Sequence, residues 1–170
     1  MLKRVVINAL LAFILMLIQT SVASSFGLLS VCQFGILASV VSSALAFPTM
    51  STSISMLLLG LAFDLWVSGP PFLYAFLFVI AHLVASAIIG KIRTERPVFV
   101  ILYATMASAF FDLLQCVAYS LFYREGYYWD MFPRVVFVDA IWAAVWAAPY
   151  MWGVLALDRI IVKRRAGRLS

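Results

Sequence analysis

Six long apolar runs, separated by turn residues or charges, divide this chain of 170 residues from end to end. A bilayer core about 30 Å thick takes about 20 helical residues at 1.5 Å rise each. Runs of that order lie at Val5–Ala23, Leu29–Phe47, Ser53–Val67, Phe72–Gly90, Val98–Phe122 and Val135–Leu157. Between them stand Ser24-Ser25 with Gly27, then Pro48, then Ser68-Gly69-Pro70-Pro71, the charged stretch Lys91–Pro97, and Arg124–Pro133. The third run is short and polar at its start, so its helix either begins nearer Pro48 or lies tilted. Hydrophobic residues make up 66% of the chain and charged ones 11%. A soluble domain carries about 45–50% apolar and about 25% charged residues, and a small globule cannot hide such an excess. That excludes an ordinary soluble enzyme, a disordered chain and a nucleic-acid-binding domain. The wealth of Phe, Leu, Val and Ala favours helices over an outer-membrane barrel, whose strands alternate polar and apolar. The expected fold is an all-α integral membrane bundle of six transmembrane helices. It forms one domain over residues 1–170, with 158–170 as a basic cytoplasmic tail.

Orientation follows from Lys and Arg near the ends of spans. Lys3 and Arg4 precede the first run. Lys91, Arg93 and Arg96 separate the fourth and fifth. Arg159, Lys163, Arg164, Arg165 and Arg168 follow the sixth. With six spans these segments share one side and hold ten of the twelve basic residues. Arg124 and Arg134 on the other side are offset by Glu125 and Asp130. Both termini are therefore expected in the cytoplasm, with Tyr127, Tyr128 and Trp129 as an aromatic belt on the outer side. Lys3-Arg4 before a run ending Val22-Ala23-Ser24 also fits a signal peptide, but the length of that run favours an uncleaved anchor.

Polar groups within the runs are costly in lipid and turn towards protein or a water-filled cavity. They are Asp64, His82, Asp112 and Asp139, with Gln19, Gln33 and Gln115. The topology predicts an outer layer of Gln19, Gln33, Asp64 and Asp139, with Arg134 above it able to pair with either acid. A deeper layer holds His82 and Asp112, which could meet. Ser108, Asp112, Gln115 and Cys116 share one helical face. These groups read as interhelical glue, as a cavity open to the outside, or as a proton path. Small residues at Gly60, Ala81, Ala85, Ser86, Ala104, Ala107, Ser108, Ala143, Ala144, Ala147 and Ala148 suit close helix packing, and Pro149 is expected to kink the last span. Cys32 and Cys116 have no metal or redox spacing. No cofactor, no metal site and no nucleophile–base–orienter set is legible, so catalysis is not expected.

The stretch Gly60-Leu61-Ala62-Phe63-Asp64-Leu65-Trp66-Val67-Ser68-Gly69, leading into Tyr74-Ala75-Phe76 and His82-Leu83-Val84-Ala85, resembles the rod shape-determining protein MreD family. That family typically ends its third span in a GxxxDLxSG pattern. The length, the six spans, the basic loop before the fifth, Asp112, and Pro149 followed by a basic tail fit as well. The chain departs from the pattern by one extra residue between Asp64 and Ser68-Gly69, by Pro70-Pro71-Phe72-Leu73 in place of a Leu-Gly pair, and by Ala144 where some members carry Asn.

The resemblance implies a non-enzymatic scaffold of the bacterial cell-elongation complex, in the inner membrane. Its fold would be similar to the S components of energy-coupling-factor transporters. Its partner would be MreC, within a wider complex of MreB, RodA and the elongation transpeptidase that builds lateral peptidoglycan. Membrane lipids are further partners, nucleic acid is not, and a homodimer stays open. Gly60, Asp64, Ser68 and Gly69 would form the partner-binding corner between spans 3 and 4. The alternative is a substrate-binding membrane subunit of a vitamin-type transporter. A third reading is an enzyme of lipid-linked precursors.

Overall fold

The computed structural model describes residues 2–26, 33–65, 70–89, 96–123 and 127–166. All of it is helix and turn, with no strand among the described residues. The six helices are α1 (Leu2–Phe26), α2 (Gln33–Ala44), α3 (Thr49–Asp64), α4 (Leu73–Ile89), α5 (Pro97–Tyr123) and α6 (Tyr127–Ala166). Three contain stretches long and apolar enough to cross a membrane: Arg4–Ser21, Pro97–Phe122 and Phe132–Leu157.

These three long helices share one pattern. α5 buries Val100, Ala104, Ser108, Phe111, Asp112 and Cys116, and α6 buries Asp139, Ala143, Ala147, Tyr150, Met151 and Val154. Steps of three and four put each set on one face. The opposite faces are exposed but not polar. They carry Val6, Leu10, Ile14 and Ile18 on α1, Leu102, Met106, Leu113 and Val117 on α5, and Phe137, Ile141, Val145 and Trp152 on α6. A helix of a water-soluble protein turns charges outward. Here the polar groups go inward and the aliphatic ones outward.

α2 is the hub. Every residue from Phe34 to Ala44 is buried, and the helix packs against all five others. Gly35 permits part of this, since a Cβ there would stand 2.7 Å from the ring of Phe78. Phe78 in turn stacks on Phe111 of α5 with ring centroids 5.4 Å apart. α2 stops at Ala44, three residues short of the run read from the sequence. Ala46 has φ 54, which turns the chain, and Pro48 then sets the start of α3 at Thr49.

Two further boundaries depart from the sequence reading. Arg124–Pro133 was expected as a loop, but α6 is helical from Tyr127 and runs through Pro133 and Pro149. A proline forfeits one backbone hydrogen bond and bends a helix locally; flanking residues that go on making theirs carry the helix through. The expected tail at 158–170 is helical as far as Ala166.

Candidate functional site

The motif residues Gly60 and Asp64 lie one turn apart on the last two turns of α3. They join α3 to the start of α4 by backbone contact. At Gly60 a Cβ would stand 2.4 Å from Ala75 Cα, 2.6 Å from Ala75 N and 2.7 Å from the Tyr74 carbonyl oxygen. Only a residue without a side chain lets the two backbones approach this closely. One turn later, Asp64 Oδ1 accepts the Tyr74 N–H at 2.9 Å and Oδ2 accepts the Ala75 N–H at 3.1 Å.

The cap answers a local need. α4 opens at Leu73, preceded by Phe72, whose side chain has no oxygen for the orphan amides of the first turn. A carboxylate from the neighbouring helix supplies both acceptors and favours the positive end of the α4 dipole. Phe72 itself has φ 65 and is 67% exposed. A left-handed backbone costs a bulky side chain about 1–2 kcal/mol, and the closure of the corner holds it there. Ser68 and Gly69 lie outside the described residues.

Tyr74 extends the corner to α5. Gln115 Nε2 donates to its hydroxyl at 3.1 Å, and the Tyr119 hydroxyl lies 3.0 Å away. Its ring meets Phe63 edge-on, with centroids 4.8 Å apart. Gln115, read from the sequence as an intramembrane polar group, thus links α5 to the capped turn of α4. Beside the corner, a small groove of about 40 Å³ between α1 and α3 is lined by Phe13, Met16, Leu17, Thr20, Leu59, Ala62 and Phe63. The Thr20 hydroxyl in it bonds back to the Met16 and Leu17 carbonyls.

The predicted ion pairs do not form. Asp64 spends both oxygens on α4, so it is not the partner of Arg134, which is exposed. Nor do His82 and Asp112 meet as a pair. His82 Nδ1 lies 3.1 Å from Ser39 Oγ on α2, while Asp112 faces α6 near Asp139. The reason is helix length. α6 begins eight residues before the expected Val135, which carries Asp139 away from the level of Asp64 and Gln19. Asp112 lies eleven residues before the end of α5 and Asp139 twelve after the start of α6. That is roughly 17 and 18 Å along the two helices. Gln19 is buried on α1; the side chains of Gln33, Lys163, Arg164 and Arg165, and all of Lys91 and Arg93, lie outside the described residues. Arg96 is exposed just ahead of α5.

A second polar centre was not singled out from the sequence. Asn8 Nδ2 donates to Ser42 Oγ at 2.6 Å and to the Ala38 carbonyl at 2.9 Å. The Tyr150 hydroxyl lies 2.7 Å from Asn8 Oδ1 and 3.0 Å from its carbonyl oxygen. One amide therefore ties α1 to α2 and α6, with Asn8 1% and Tyr150 3% exposed. The available signal was Asn8 itself, an amide within an apolar run, subject to the same rule that picked out Gln19. Asn8→Leu is expected to cost about 1–3 kcal/mol, because it strands buried hydroxyls on both partner helices. Tyr150→Phe, which keeps the ring, is expected to cost less, and thermal unfolding of the purified variants ranks the two.

Among the described residues no three His, Cys, Asp or Glu side chains come together as metal ligands. What the arrangement offers is an α3–α4 corner with exposed Leu65, Phe72 and Phe76 around a buried cap. No protein family, no curated protein and no solved structure matches the chain.

Proposed function

We propose that this chain is a six-span membrane scaffold of the MreD kind, acting in the bacterial cell-elongation complex by binding MreC. The observation that carries the reading is the α3–α4 corner. Two of the residues that carry the resemblance to that family, Gly60 and Asp64, close it, one by absence of a side chain and the other by capping α4. The corner presents a fixed surface for a partner's span and its extracytoplasmic portion. Ser68 and Gly69 complete the motif in the sequence.

The membrane setting is supported by the aliphatic outer faces of α1, α5 and α6. Water would drive such faces together, whereas lipid leaves them in place. α2, α3 and α4 are shorter, at 12, 16 and 17 residues. Short helices are tolerated at membrane depth when protein surrounds them, and the packing of α2 against every other helix provides that for the shortest. The basic segments at Lys3-Arg4, Lys91–Arg96 and Arg159–Arg168 support a topology with both termini in the cytoplasm, and reporter fusions at the two ends check this. A vitamin-type transporter subunit would want polar groups converging on a cavity. The groove beside the corner is lined by apolar side chains and by a threonine already engaged with its own helix.

The deciding experiment is done in cells of the native host. Asp64→Ala and Gly69→Leu are expected to reduce MreC co-purification several-fold and to widen the cells. Unchanged MreC recovery and normal width, with the variant proteins present in the membrane, would sink the assignment.

A further inference from the structure

The contacts between helices fix which ends lie together. Asn8 of α1 meets Ala38 and Ser42 near the end of α2, while Phe13, Met16 and Thr20 line a groove with Leu59 and Phe63 near the end of α3. Gly35 beside Phe78 and Ser39 beside His82 run α2 and α4 in the same direction. Phe78 on Phe111 and Tyr74 on Gln115 set α5 antiparallel to α4, and only three residues separate α5 from the returning α6. The starts of α1, α3 and α5 therefore share one end of the bundle with the ends of α2, α4 and α6.

That end carries exposed Arg4 on α1, Arg96 just ahead of α5 and Arg159 on α6. In the sequence, the stretches around these three hold ten basic residues against Glu95 and Asp158. The opposite end carries exposed Asp130 as well as Arg134, and Asp64 there is spent on α4. Arg4 and Arg159 also share a seam. Asn8 bonds Tyr150, and a Cβ on Gly153 would stand 3.8 Å from Leu11 Cδ2. Arg4 lies roughly 6 Å along α1 before Asn8, and Arg159 roughly 9 Å along α6 past Gly153. Both sit beyond the same contact. α6 then continues to Ala166 through Lys163, Arg164 and Arg165, roughly 10 Å further. A headgroup layer is roughly 5–8 Å deep on each side of a bilayer, so this extension crosses it. Towards the middle of the membrane the same two helices expose Val6 and Leu10, and Trp152 and Leu157.

We infer that the α1–α6 seam at this end, with Arg4, Arg159 and the Lys163–Arg165 extension of α6, binds the headgroup phosphates of anionic phospholipids. A guanidinium matches a phosphate with two parallel hydrogen bonds. Its five donors serve more than one acceptor, so a contact within the protein does not exhaust Arg4. The acyl chains of such a lipid lie against the exposed aliphatic residues of the two helices, which a free anion in water would leave uncovered. A zwitterionic headgroup brings its own cation to the cluster and gains less. The inference rests on the membrane setting proposed above and not on the partner assigned to the α3–α4 corner.

The test uses the full-length protein in phosphatidylcholine vesicles with a trace of spin-labelled phosphatidylglycerol or spin-labelled phosphatidylcholine. Electron paramagnetic resonance reads how much of each label the protein surface holds. The wild-type protein is expected to hold the anionic label several-fold more strongly, and less so as salt rises, because salt screens exposed charges. Arg4→Gln/Arg159→Gln is expected to lose at least half of that preference, and so is Lys163→Gln/Arg164→Gln/Arg165→Gln. Arg134→Gln, at the opposite end, is expected to keep it. Equal retention of the two labels by the wild type overturns the proposal, as does an equal loss in Arg134→Gln. Inorganic phosphate, against chloride at matched ionic strength, is expected to displace no label; displacement overturns the lipid assignment in favour of the free anion. Should the variants fail to insert, the wild-type comparison at low and high salt decides alone. A wild-type protein that does not insert into the vesicles at all overturns the membrane setting instead.

Discussion

Gly60→Ala is expected to lower stability by about 3 kcal/mol, the upper part of the range for overpacking a well-filled site. In a chain of this size that is a fall in Tm of roughly 6–12 °C. The added methyl meets backbone atoms of Ala75 and Tyr74 at 2.4–2.7 Å, and backbone cannot rotate aside as a side chain would. α4 must therefore move off α3 or the corner must open. The sign makes the test sharp. On helix propensity alone, alanine for glycine in the middle of a helix stabilises by about 1 kcal/mol. Gly153→Ala is the control. A Cβ there meets only Leu11 Cδ2 at 3.8 Å, an ordinary contact, so propensity is expected to win and Tm to hold or rise. Thermal unfolding of the two variants side by side measures both. Equal behaviour would show that the close approach at Gly60 carries no weight.

Asp64→Ala is expected to cost about 2–3 kcal/mol. Hydrogen bonds to a charged group are worth about 1.5–3 kcal/mol each, and loss of a helix cap costs about 0.5–2. The two here share one carboxylate, so their values do not add in full. Both donors are well buried, with Tyr74 4% and Ala75 2% exposed, which limits rescue by water. Asp64→Asn keeps one oxygen acceptor but turns an amide nitrogen towards the second N–H, so it is expected to lose about half as much. Amide hydrogen exchange reads the effect locally: the Tyr74 and Ala75 amides are expected to exchange faster in both variants, with those in the middle of α5 little changed. A uniform acceleration would mean that Asp64 supports the whole fold rather than the α4 cap.

These two residues also mark how far the sequence alone could go. The motif spacing put Gly60 and Asp64 on one face, because four residues make about one helical turn. The sequence could not say what that face met, since the partner atoms belong to the backbone of Tyr74 and Ala75, and backbone carries no signature. Helices were legible because apolar runs of this length have few alternatives. Their ends were less so. Pro133 reads as a break, yet α6 passes through it, and that error placed Asp139 beside Asp64 instead of opposite Asp112. Asn8 went unremarked although it falls under the rule that picked out Gln19, and its carboxamide bonds to two other helices. Composition marks which groups are costly in lipid; how well each is satisfied is seen only when its partners are in view.

The central position of α2 also sets an order of assembly. Two of its hydroxyls are matched by groups that leave the ribosome at different times: Ser42 by Asn8, made before it, and Ser39 by His82, made some forty residues later, while Asn8 itself is completed by Tyr150 of α6. Until α6 arrives, the Asn8 carboxamide on α1 is only half matched and α2 has an uncovered flank. The nascent chain must therefore wait in the insertion machinery, or under a chaperone, for α6 to complete the enclosure.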